Sequence, residues 1–256
     1  MDYQDLYLQQ TDSTNLQARK MAEQGFPHGS GVVADSQTAG RGRLARDWFS
    51  PPGKNLYCSY VLRPAIKAAD FSRLTMVAGL AVADYLGTLC PLPIGLKWPN
   101  DIHLKNKKCG GILSESSIAS DDTKSSYAII GIGLNLNIGR DELPPHLQAI
   151  ATSLLIETGK TYDATTLFHG LRGALLRGVS DFETKGFASI LERWKHYDTV
   201  LGKWMVWVTS DGRKVSGKSL GPDSDGFLQI EDAQGTIHRV ISGDVNLVHS
   251  EADGSC

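Results

Sequence analysis

The sequence has no long apolar run and few cysteines. No stretch reaches the ~18 apolar residues of a membrane-spanning helix, and the N-terminal MDYQDLYLQQ lacks the basic head and apolar core of a secretory signal. The cysteines are far apart and form no C-x-x-C pair: Cys58, Cys90, Cys109 and Cys256. Neither a zinc site nor a disulfide framework is indicated. We therefore expect a protein of the reducing cytoplasm with no membrane association.

An excess of charge of one sign is also missing. The chain has 26 Lys and Arg against 28 Asp and Glu, which gives a net charge of −2. Proteins that bind nucleic acid usually have a strongly basic surface, because phosphate contacts supply much of their affinity. The nearly neutral net charge therefore gives no indication of nucleic-acid binding. Hydrophobic residues make up 41% and charged residues 21% of the 256 residues. These values predict an ordinary globular protein with a sizeable core, in one large domain or one large and one small.

Two kinds of apolar spacing meet near Tyr197. Before it, helical spacing alternates with strand-like runs, which predicts a mixed β-sheet with packed helices in one α/β domain. The predicted helices follow Ser13 and lie at 71–89, 167–182 and 187–196, and the predicted strands lie at 6–9, 31–37, 55–62, 94–97, 108–116 and 127–137. A polar turn at 120–124 is predicted to join the last two strands. After Tyr197, short alternating runs between tight turns predict a small antiparallel β-barrel or sandwich. The expected domains are 1–197 and 198–256.

A long loop rich in glycine and arginine follows the strand at 31–37. It reads GRGRLARDW from Gly40 to Trp48 and continues as FSPPGKNLYCS. Glycine lets backbone amides approach an anion closely, and arginine supplies forked donors for phosphate or carboxylate oxygens. The alternative is a solvated basic loop. Trp48 and the length of the segment favour a ligand with several negative oxygens.

A second polar group follows the strand at 94–97. Pro99 disfavours the helical region for Trp98, so Asn100 and Asp101 should lie on a sharp turn. Residues of these types most often cap their own backbone in a turn. Lys108 favours a site instead, because a nearby amine can draw two anions together and neutralise charge that develops during their reaction.

Two further segments allow two interpretations each. Ser13, Thr14 and Asn15 suit a helix N-cap, but their hydroxyl and amide groups would also suit a polar ligand. Gly110 and Gly111 indicate either a ligand that passes close to the strand or close packing between strands.

These segments, in this order, resemble the biotin protein ligases. The matching segments are Asp12–Asn15 (DSTN), the loop GRGRLARDWFSPPGKNLYCS, Lys97–Asp101 (KWPND), Lys108–Leu113 (KCGGIL) and Gly131–Asn137 (GIGLNLN). The resemblance is strong over residues 3 to 140, whereas the C-terminal part has no comparable motif. It implies a catalytic domain like that of class II aminoacyl-tRNA synthetases, followed by a small β-barrel. The implied activity joins biotin to AMP at the expense of ATP, and then passes the biotinyl group to a lysine of a biotin carboxyl carrier protein or domain.

The resemblance also implies roles for individual residues. The implied catalytic residues are Lys108, Asp101 and Arg43. The implied biotin contacts are Ser13, Thr14, Asn15, Gln37, Arg41, Gly42, Arg43, Lys108 and Gly111. The implied nucleotide contacts are Arg43, Arg46, Trp48, Asn100, Lys108 and Asn135. Asn135 is also expected to help place Mg²⁺ through the triphosphate, although a buried asparagine in a strand is often only a partner in the ladder.

Several alternatives stay open from the sequence. A lipoate ligase on the same scaffold is one rival, which the arginine–tryptophan loop disfavours, and a non-catalytic small-molecule-binding adaptor module is another. Some biotin ligases carry an N-terminal DNA-binding domain. Because Ser13 lies so close to the start of the sequence, we expect no such domain and no operator binding. A homodimer through an exposed sheet edge is possible, and no residue pattern decides it.

Overall fold

The computed structural model describes residues 3–119, 126–208 and 214–240, and the backbone of 245–247. The strands within these ranges are β1 (Asp5–Thr11), β2 (Gly31–Gln37), β3 (Leu56–Leu62), β4 (Ile94–Lys97), β5 (Asp101–Leu104), β6 (Lys107–Ser117), β7 (Tyr127–Leu134), β8 (Trp204–Val208), β9 (Lys214–Pro222), β10 (Leu228–Glu231), β11 (Ile237–Val240) and β12 (Val245–Leu247). The helices are α1 (Thr14–Glu23), α2 (Leu74–Leu89), α3 (Leu154–Thr158), α4 (Ala164–Lys185) and α5 (Phe187–Lys195). The predicted turn at 120–124 lies outside the described residues.

The main sheet has seven strands in the order β1-β2-β3-β7-β6-β5-β4. β1 and β2 are parallel, and the other neighbouring strands are antiparallel. Every residue of β3 is buried, because α1 covers one face of the sheet and α2, α4 and α5 cover the other. Burial on both faces explains why the central strands have continuous apolar sequences instead of alternating ones. The predicted mixed sheet with packed helices is confirmed.

The C-terminal strands form a second, five-stranded antiparallel sheet in the order β11-β10-β9-β8-β12. Met205, Leu228, Ile230 and Val240 join the same apolar core as α2 and α5. The predicted small antiparallel unit is confirmed, and it packs directly on the larger domain. Within the described residues, no helix is both long and apolar enough to cross a membrane.

The structure differs from the predicted elements in three places. β5 lies where a connecting turn was predicted, α3 was not predicted, and β7 ends at Leu134 instead of continuing to Asn137. The last two differences have one cause. The carbonyl groups of Asn135 and Leu136 accept hydrogen bonds from the backbone N–H groups of Leu154 and Leu155, at 3.0 and 2.8 Å. The chain after β7 is therefore paired with the first turn of α3.

Candidate active site

A cavity of about 350 Å³ lies where the glycine–arginine loop crosses the main sheet. Its floor is formed by Gly111 of β6 and by Gly131 and Gly133 of β7. Every residue for which the sequence predicts a role lines this cavity: Ser13, Thr14, Asn15, Gln37, Arg41, Gly42, Arg43, Arg46, Trp48, Asn100, Asp101, Lys108, Gly111 and Asn135. The fold thus brings together Gln37 and residues from five separate motif segments, while their individual roles stay predictions.

One end of the cavity is a buried polar network at the start of α1. Thr14 donates to Gln37 Oε1 from its backbone N–H (2.9 Å) and from its hydroxyl (3.3 Å). The Ser59 hydroxyl lies 2.8 Å from Thr14 Oγ1 and 2.7 Å from Asn15 Oδ1. Ser13 occupies the N-cap position, but its side chain makes no capping hydrogen bond. The capping interpretation therefore does not explain why hydroxyl and amide groups cluster here.

The other end contains an ion pair between β5 and β6. Lys108 Nζ lies 2.7 Å from Asp101 Oδ1, and the two side chains are 35% and 22% exposed. The backbone of Lys108 is fixed from the opposite side, since its N–H donates to Ile150 O (2.9 Å) and its carbonyl accepts from Thr152 N (2.8 Å). The predicted turn before Asp101 consists of residues 98–100, and Asp101 itself is the first residue of β5. An amine is thereby held at a defined place in a half-buried cavity.

Trp48 lies over the glycine floor between these two ends. A Cβ at Gly133 would come within 2.7 Å of the indole, and a Cβ at Gly111 within 3.3 Å. Lys108 Nζ lies 5.4 Å from the centre of the Trp48 ring, in the range of a cation–π contact. Gly110 has a different reason for lacking a side chain, because a Cβ there would come within 2.4 Å of Leu134. Close packing between strands therefore explains Gly110, whereas Gly111 makes room for the Trp48 ring, and a ligand close to Gly111 stays a prediction.

The glycine–arginine loop folds back on itself as a hairpin. The backbone N–H of Trp48 donates to Gly40 O (2.9 Å), and the backbone N–H of Gly42 donates to Arg46 O (2.7 Å). At its tip, Leu44 and Ala45 both have left-handed backbones, with φ values of 55° and 56°, which is unfavourable for residues other than glycine. The hairpin is therefore held in this shape by its contacts and not by local preference.

The loop arginines contact other parts of the site. Arg41 Nη2 lies 3.1 Å from Glu115 Oε2, and Arg43 Nη1 donates to Asn100 Oδ1 at 3.4 Å. Burial lowers the pKa of the Arg43 guanidinium, and the nearby Asp101 carboxylate offsets part of that effect. Positive charge is thus concentrated beside the Lys108–Asp101 pair.

The sequence did not single out several residues of the site. Lys97 lines the cavity, and burial lowers the pKa of its amine, while Asp101 acts in the opposite direction. Ser59 joins the polar network and Glu115 contacts Arg41. Lys97 stands inside a quoted motif and could have been noted there. No motif marks the opposite apolar wall, which consists of Leu143, Leu147, Ile150 and Ala151.

Asn135 is the residue for which the sequence predicts a link to Mg²⁺. Its Nδ2 donates to Thr152 O at 2.9 Å, which leaves Oδ1 as an available acceptor. Among the described residues, no three His, Cys, Asp or Glu side chains lie close enough together to hold a metal ion. The donor set fits a cation that is bound mostly by phosphate oxygens, as Mg²⁺ is in many ATP-dependent sites.

Comparison with known sequences and structures identifies the class of protein. The family model described as the biotin/lipoate A/B protein ligase family matches residues 7–135, and the model of the biotin protein ligase C-terminal domain matches residues 205–248. The chain belongs to the biotin/lipoate A/B protein ligase family.

Individual relatives within this family include several proteins named as biotin ligases. The bifunctional ligase/repressor BirA of Bacillus subtilis is 36% identical over 242 residues, which cover 94% of this chain and 73% of that protein. The biotin–[acetyl-CoA-carboxylase] ligase of Paracoccus denitrificans is 34% identical, covering 89% of this chain and 94% of its own. The solved structure of the biotin protein ligase of Aquifex aeolicus in complex with biotin and ATP superposes on this chain with a TM-score of 0.80 and is 31% identical in sequence. The match covers 95% of this chain and 98% of the Aquifex aeolicus chain. The expected fold is thereby confirmed.

Proposed function

We propose that this chain is an ATP-dependent biotin protein ligase. It joins biotin to AMP, retains biotinyl-5′-AMP, and transfers the biotinyl group to a specific lysine of a biotin carboxyl carrier protein or domain. The observation that carries the proposal is a single cavity with a polar network at one end, the Lys108–Asp101 pair at the other and a basic hairpin along its side. The Aquifex aeolicus ligase with biotin and ATP supports this function.

The polar end suits the ureido head of biotin. A ureido ring presents one carbonyl and two N–H groups, which need paired partners once water is excluded. Ser13, Thr14, Asn15 and Gln37 supply hydroxyl and amide groups there, and hydrogen bonds hold Thr14, Asn15 and Gln37 in place before any ligand arrives. We therefore assign the biotin head to this end and its carboxylate to the end near Lys108.

In the first step, a biotin carboxylate oxygen attacks the α-phosphorus of ATP and pyrophosphate leaves. Both reactants are anions, so their approach is opposed by repulsion. We assign Lys108 to the reacting oxygens, and Arg43, Arg46 and Lys97 to the phosphates, because all four cations line the cavity. Fixed charges in a site of reduced water content stabilise developing negative charge more strongly than water does. Trp48 and Asn100 complete the proposed nucleotide contacts.

In the second step, the neutral amine of the acceptor lysine attacks the carbonyl carbon of the mixed anhydride. The bond to the phosphate oxygen breaks, and AMP leaves. Lys108 stabilises the negative charge on the carbonyl and phosphate oxygens, and Asp101 stabilises the positive charge on the attacking nitrogen. The hairpin from Arg41 to Trp48 closes over the intermediate and excludes water, which would otherwise hydrolyse the anhydride.

Mg²⁺ fits the site as a partner of ATP. Asn135 Oδ1 would contribute one oxygen, and the ion would neutralise charge on the triphosphate. The wider setting is also part of the proposal. Residues 1–197 form the catalytic domain and 198–256 the small C-terminal domain, and the protein works in the cytoplasm. A homodimer through a sheet edge stays a prediction that sedimentation would test.

A biotin-dependent ATP–pyrophosphate exchange assay tests the proposal directly. We expect exchange with biotin and little with lipoate, followed by transfer of labelled biotin to a carrier domain. Exchange with lipoate alone would identify a lipoate ligase on the same scaffold. Binding of biotin without exchange would identify a binding module, and the proposed function would be wrong.

A further inference from the structure

Glu115 of β6 lies outside the proposed chemistry, yet it connects three parts of the site. Its Oε2 accepts a hydrogen bond from Asn15 Nδ2 (2.7 Å) and lies 3.1 Å from Arg41 Nη2. Its Oε1 lies 2.9 Å from Arg19 Nη2 on α1. The Glu115 side chain is only 21% exposed, whereas the two arginine side chains are 39% and 43% exposed. A single carboxylate thus contacts the glycine–arginine hairpin, the polar network and the outer face of α1.

The contact with Asn15 decides which way that amide faces. Asn15 Nδ2 is directed at Leu113 O (3.3 Å) and at Glu115 Oε2, and both of these oxygens can only accept hydrogen bonds. The two amide protons are therefore used on the β6 side. Asn15 Oδ1 faces the other way, 2.7 Å from Ser59 Oγ. What Asn15 offers to the cavity is consequently an acceptor and not a donor.

The packing around Asn15 disfavours the flipped orientation of its side-chain amide. Its side chain is packed so closely against β7 that a Cβ at Gly131 would lie 2.1 Å from Oδ1, and only 3% of the residue is exposed. A 180° flip would leave Nδ2 beside Gly131 and bring Oδ1 against two acceptors, one of which is charged. The Leu113 carbonyl and the charged Glu115 carboxylate, which makes the shorter contact, therefore exclude the flipped amide together.

We propose that Glu115 is a positioning residue: it fixes Asn15 as an acceptor for the N–H groups of the small-molecule substrate, and it ties the Arg41 end of the hairpin to the same point. The inference rests on the proposed function and deepens it. Ion pairs between partly exposed groups contribute little to stability, so the effect of Glu115 is expected in substrate binding and in retention of the intermediate. The ureido N–H groups of biotin are the donors that this arrangement recognises.

The test is the variant Glu115→Gln. It keeps the size of the side chain but replaces one acceptor oxygen with an NH₂ group, which must then face either the donors of Asn15 and Arg41 or the guanidinium of Arg19. We expect the KM for biotin in pyrophosphate exchange to rise about tenfold, the effect of one lost buried hydrogen bond, with an unchanged KM for ATP. Purified enzyme loaded with biotinyl-5′-AMP should also release it faster.

Glu23→Gln is the matched control. Glu23 lines the same surface groove as Glu115 and Arg19, so the variant removes the same charge from the same place. Its carboxylate accepts a hydrogen bond from the Tyr127 hydroxyl at 3.5 Å, whereas Asn15 and Arg41 are bound by Glu115. We expect wild-type values for both KM constants and for release of the intermediate.

The outcomes separate this inference from the proposed function. If the unaltered protein gives no biotin-dependent exchange, the proposed function is wrong. If it does, but Glu115→Gln behaves like Glu23→Gln, only the role of Glu115 is wrong. Should Glu115→Gln fail to fold, Glu115→Asp is the second variant. It keeps the charge, but its shorter side chain withdraws the carboxylate from Asn15 Nδ2, so it should also raise the KM for biotin. An equal rise in both KM constants in that variant would also refute the positioning role.

Discussion

The Lys108 amine is the residue on which the proposed chemistry depends most. It is paired with Asp101, lies under the Trp48 ring and is fixed by backbone hydrogen bonds to residues 150 and 152. An amine that only stabilised the fold would not need a place in the cavity between a polar end and a basic hairpin. Its removal should therefore affect the reaction more than the binding of biotin.

We predict that Lys108→Ala retains biotin binding but loses at least about 100-fold in kcat for pyrophosphate exchange, the scale of losing one electrostatic contact to a transition state. Binding is measured by calorimetry and turnover by exchange. Lys107→Ala is the control, because Lys107 is the neighbouring amine but points to Gln148 O at 3.4 Å. Equal turnover in the two variants would contradict the assignment.

Residue types revealed much of the site before the structure did. Arginine beside glycine, and lysine near an Asn-Asp turn, indicate anion chemistry from their side chains alone. Ser59 and Glu115 were not predicted because they act through Asn15, and that relation depends on strand register. Ser59 is on β3 and Glu115 is on β6, and only the pairing of both strands with β7 brings them to the two sides of Asn15.

At the scale of elements, the link between α5 and β8 contains an unusual carboxylate. Asp198 Oδ1 accepts from the backbone N–H groups of Val200 (2.8 Å) and Leu201 (3.2 Å). Its Oδ2 is buried, with no hydrogen-bond partner among the residues that the structure describes. Burial raises the pKa of this carboxyl group to about 6, against the opposing effect of the two backbone bonds.

The raised pKa of Asp198 predicts how its contribution to stability changes with pH. Because the folded protein binds this proton more tightly than the unfolded chain, whose carboxyl has a pKa of about 3.9, the contribution to stability is favourable at low pH. It is lost as the pH rises through about 6. In Asp198→Asn the group cannot titrate, so the melting temperature of the variant should rise relative to that of the wild type between about pH 4 and pH 7.

The quantity to measure is the change with pH of the difference in melting temperature between variant and wild type. The asparagine amide also affects stability, but that effect does not depend on pH. Asp163→Asn is the control, because the pKa of Asp163 is shifted in the opposite direction. The Asp163 carboxylate accepts from Thr166 at the start of α4, which lowers its pKa. Its contribution to stability is therefore lost only below about pH 4, so this variant should show no slope relative to the wild type between about pH 4 and pH 7 and should lose stability relative to the wild type as the pH rises towards about 4 from below. If both variants had the same slope, the account of Asp198 would be wrong.

Elements with strong periodicity were predictable, and those that depend on distant partners were not. β3 and α2 are mostly apolar, and most of their residues are buried, so local hydrophobicity was enough to predict them. β5 is only four residues long and exists because it pairs with β4 and β6 on its two sides. α3 has five residues, and its first backbone N–H groups are satisfied by carbonyl groups after β7. Neither condition is visible in a local window of sequence.

At the scale of the whole molecule, the small C-terminal sheet touches the proposed active site at the turn between β9 and β10. The Trp98 indole donates to Gly226 O at 2.9 Å, and Arg73 contacts Asp225 at 2.7 Å beside it. Trp98 is 4% exposed and belongs to the Lys97–Asp101 segment. The turn between β9 and β10 therefore packs against the segment that holds Asp101, although 128 residues separate Trp98 from Gly226. Such a contact could not be predicted from either segment.

We predict that Trp98→Phe lowers the stability of the protein by about 1–3 kcal/mol, because it leaves the Gly226 carbonyl unpaired and a small void. At this chain length each kcal/mol corresponds to roughly 2–4 °C in melting temperature. The kcat for exchange should fall as well, as the Asp101 segment loses a fixed neighbour. Trp204→Phe is the control, since Trp204 is 46% exposed. Identical melting curves for the two variants would show that the contact contributes nothing.

The position of Trp48 also affects how readily the hairpin moves. Its indole N–H is buried against Gly133 and finds no acceptor among the described residues. A buried donor left unpaired costs about 1–3 kcal/mol, and the left-handed Leu44 and Ala45 add to that cost. Any shift that brings the ring nitrogen to water or to a new oxygen recovers part of this free energy. We therefore expect that an incoming molecule can move this segment at a reduced cost in free energy, without breaking the sheet beneath.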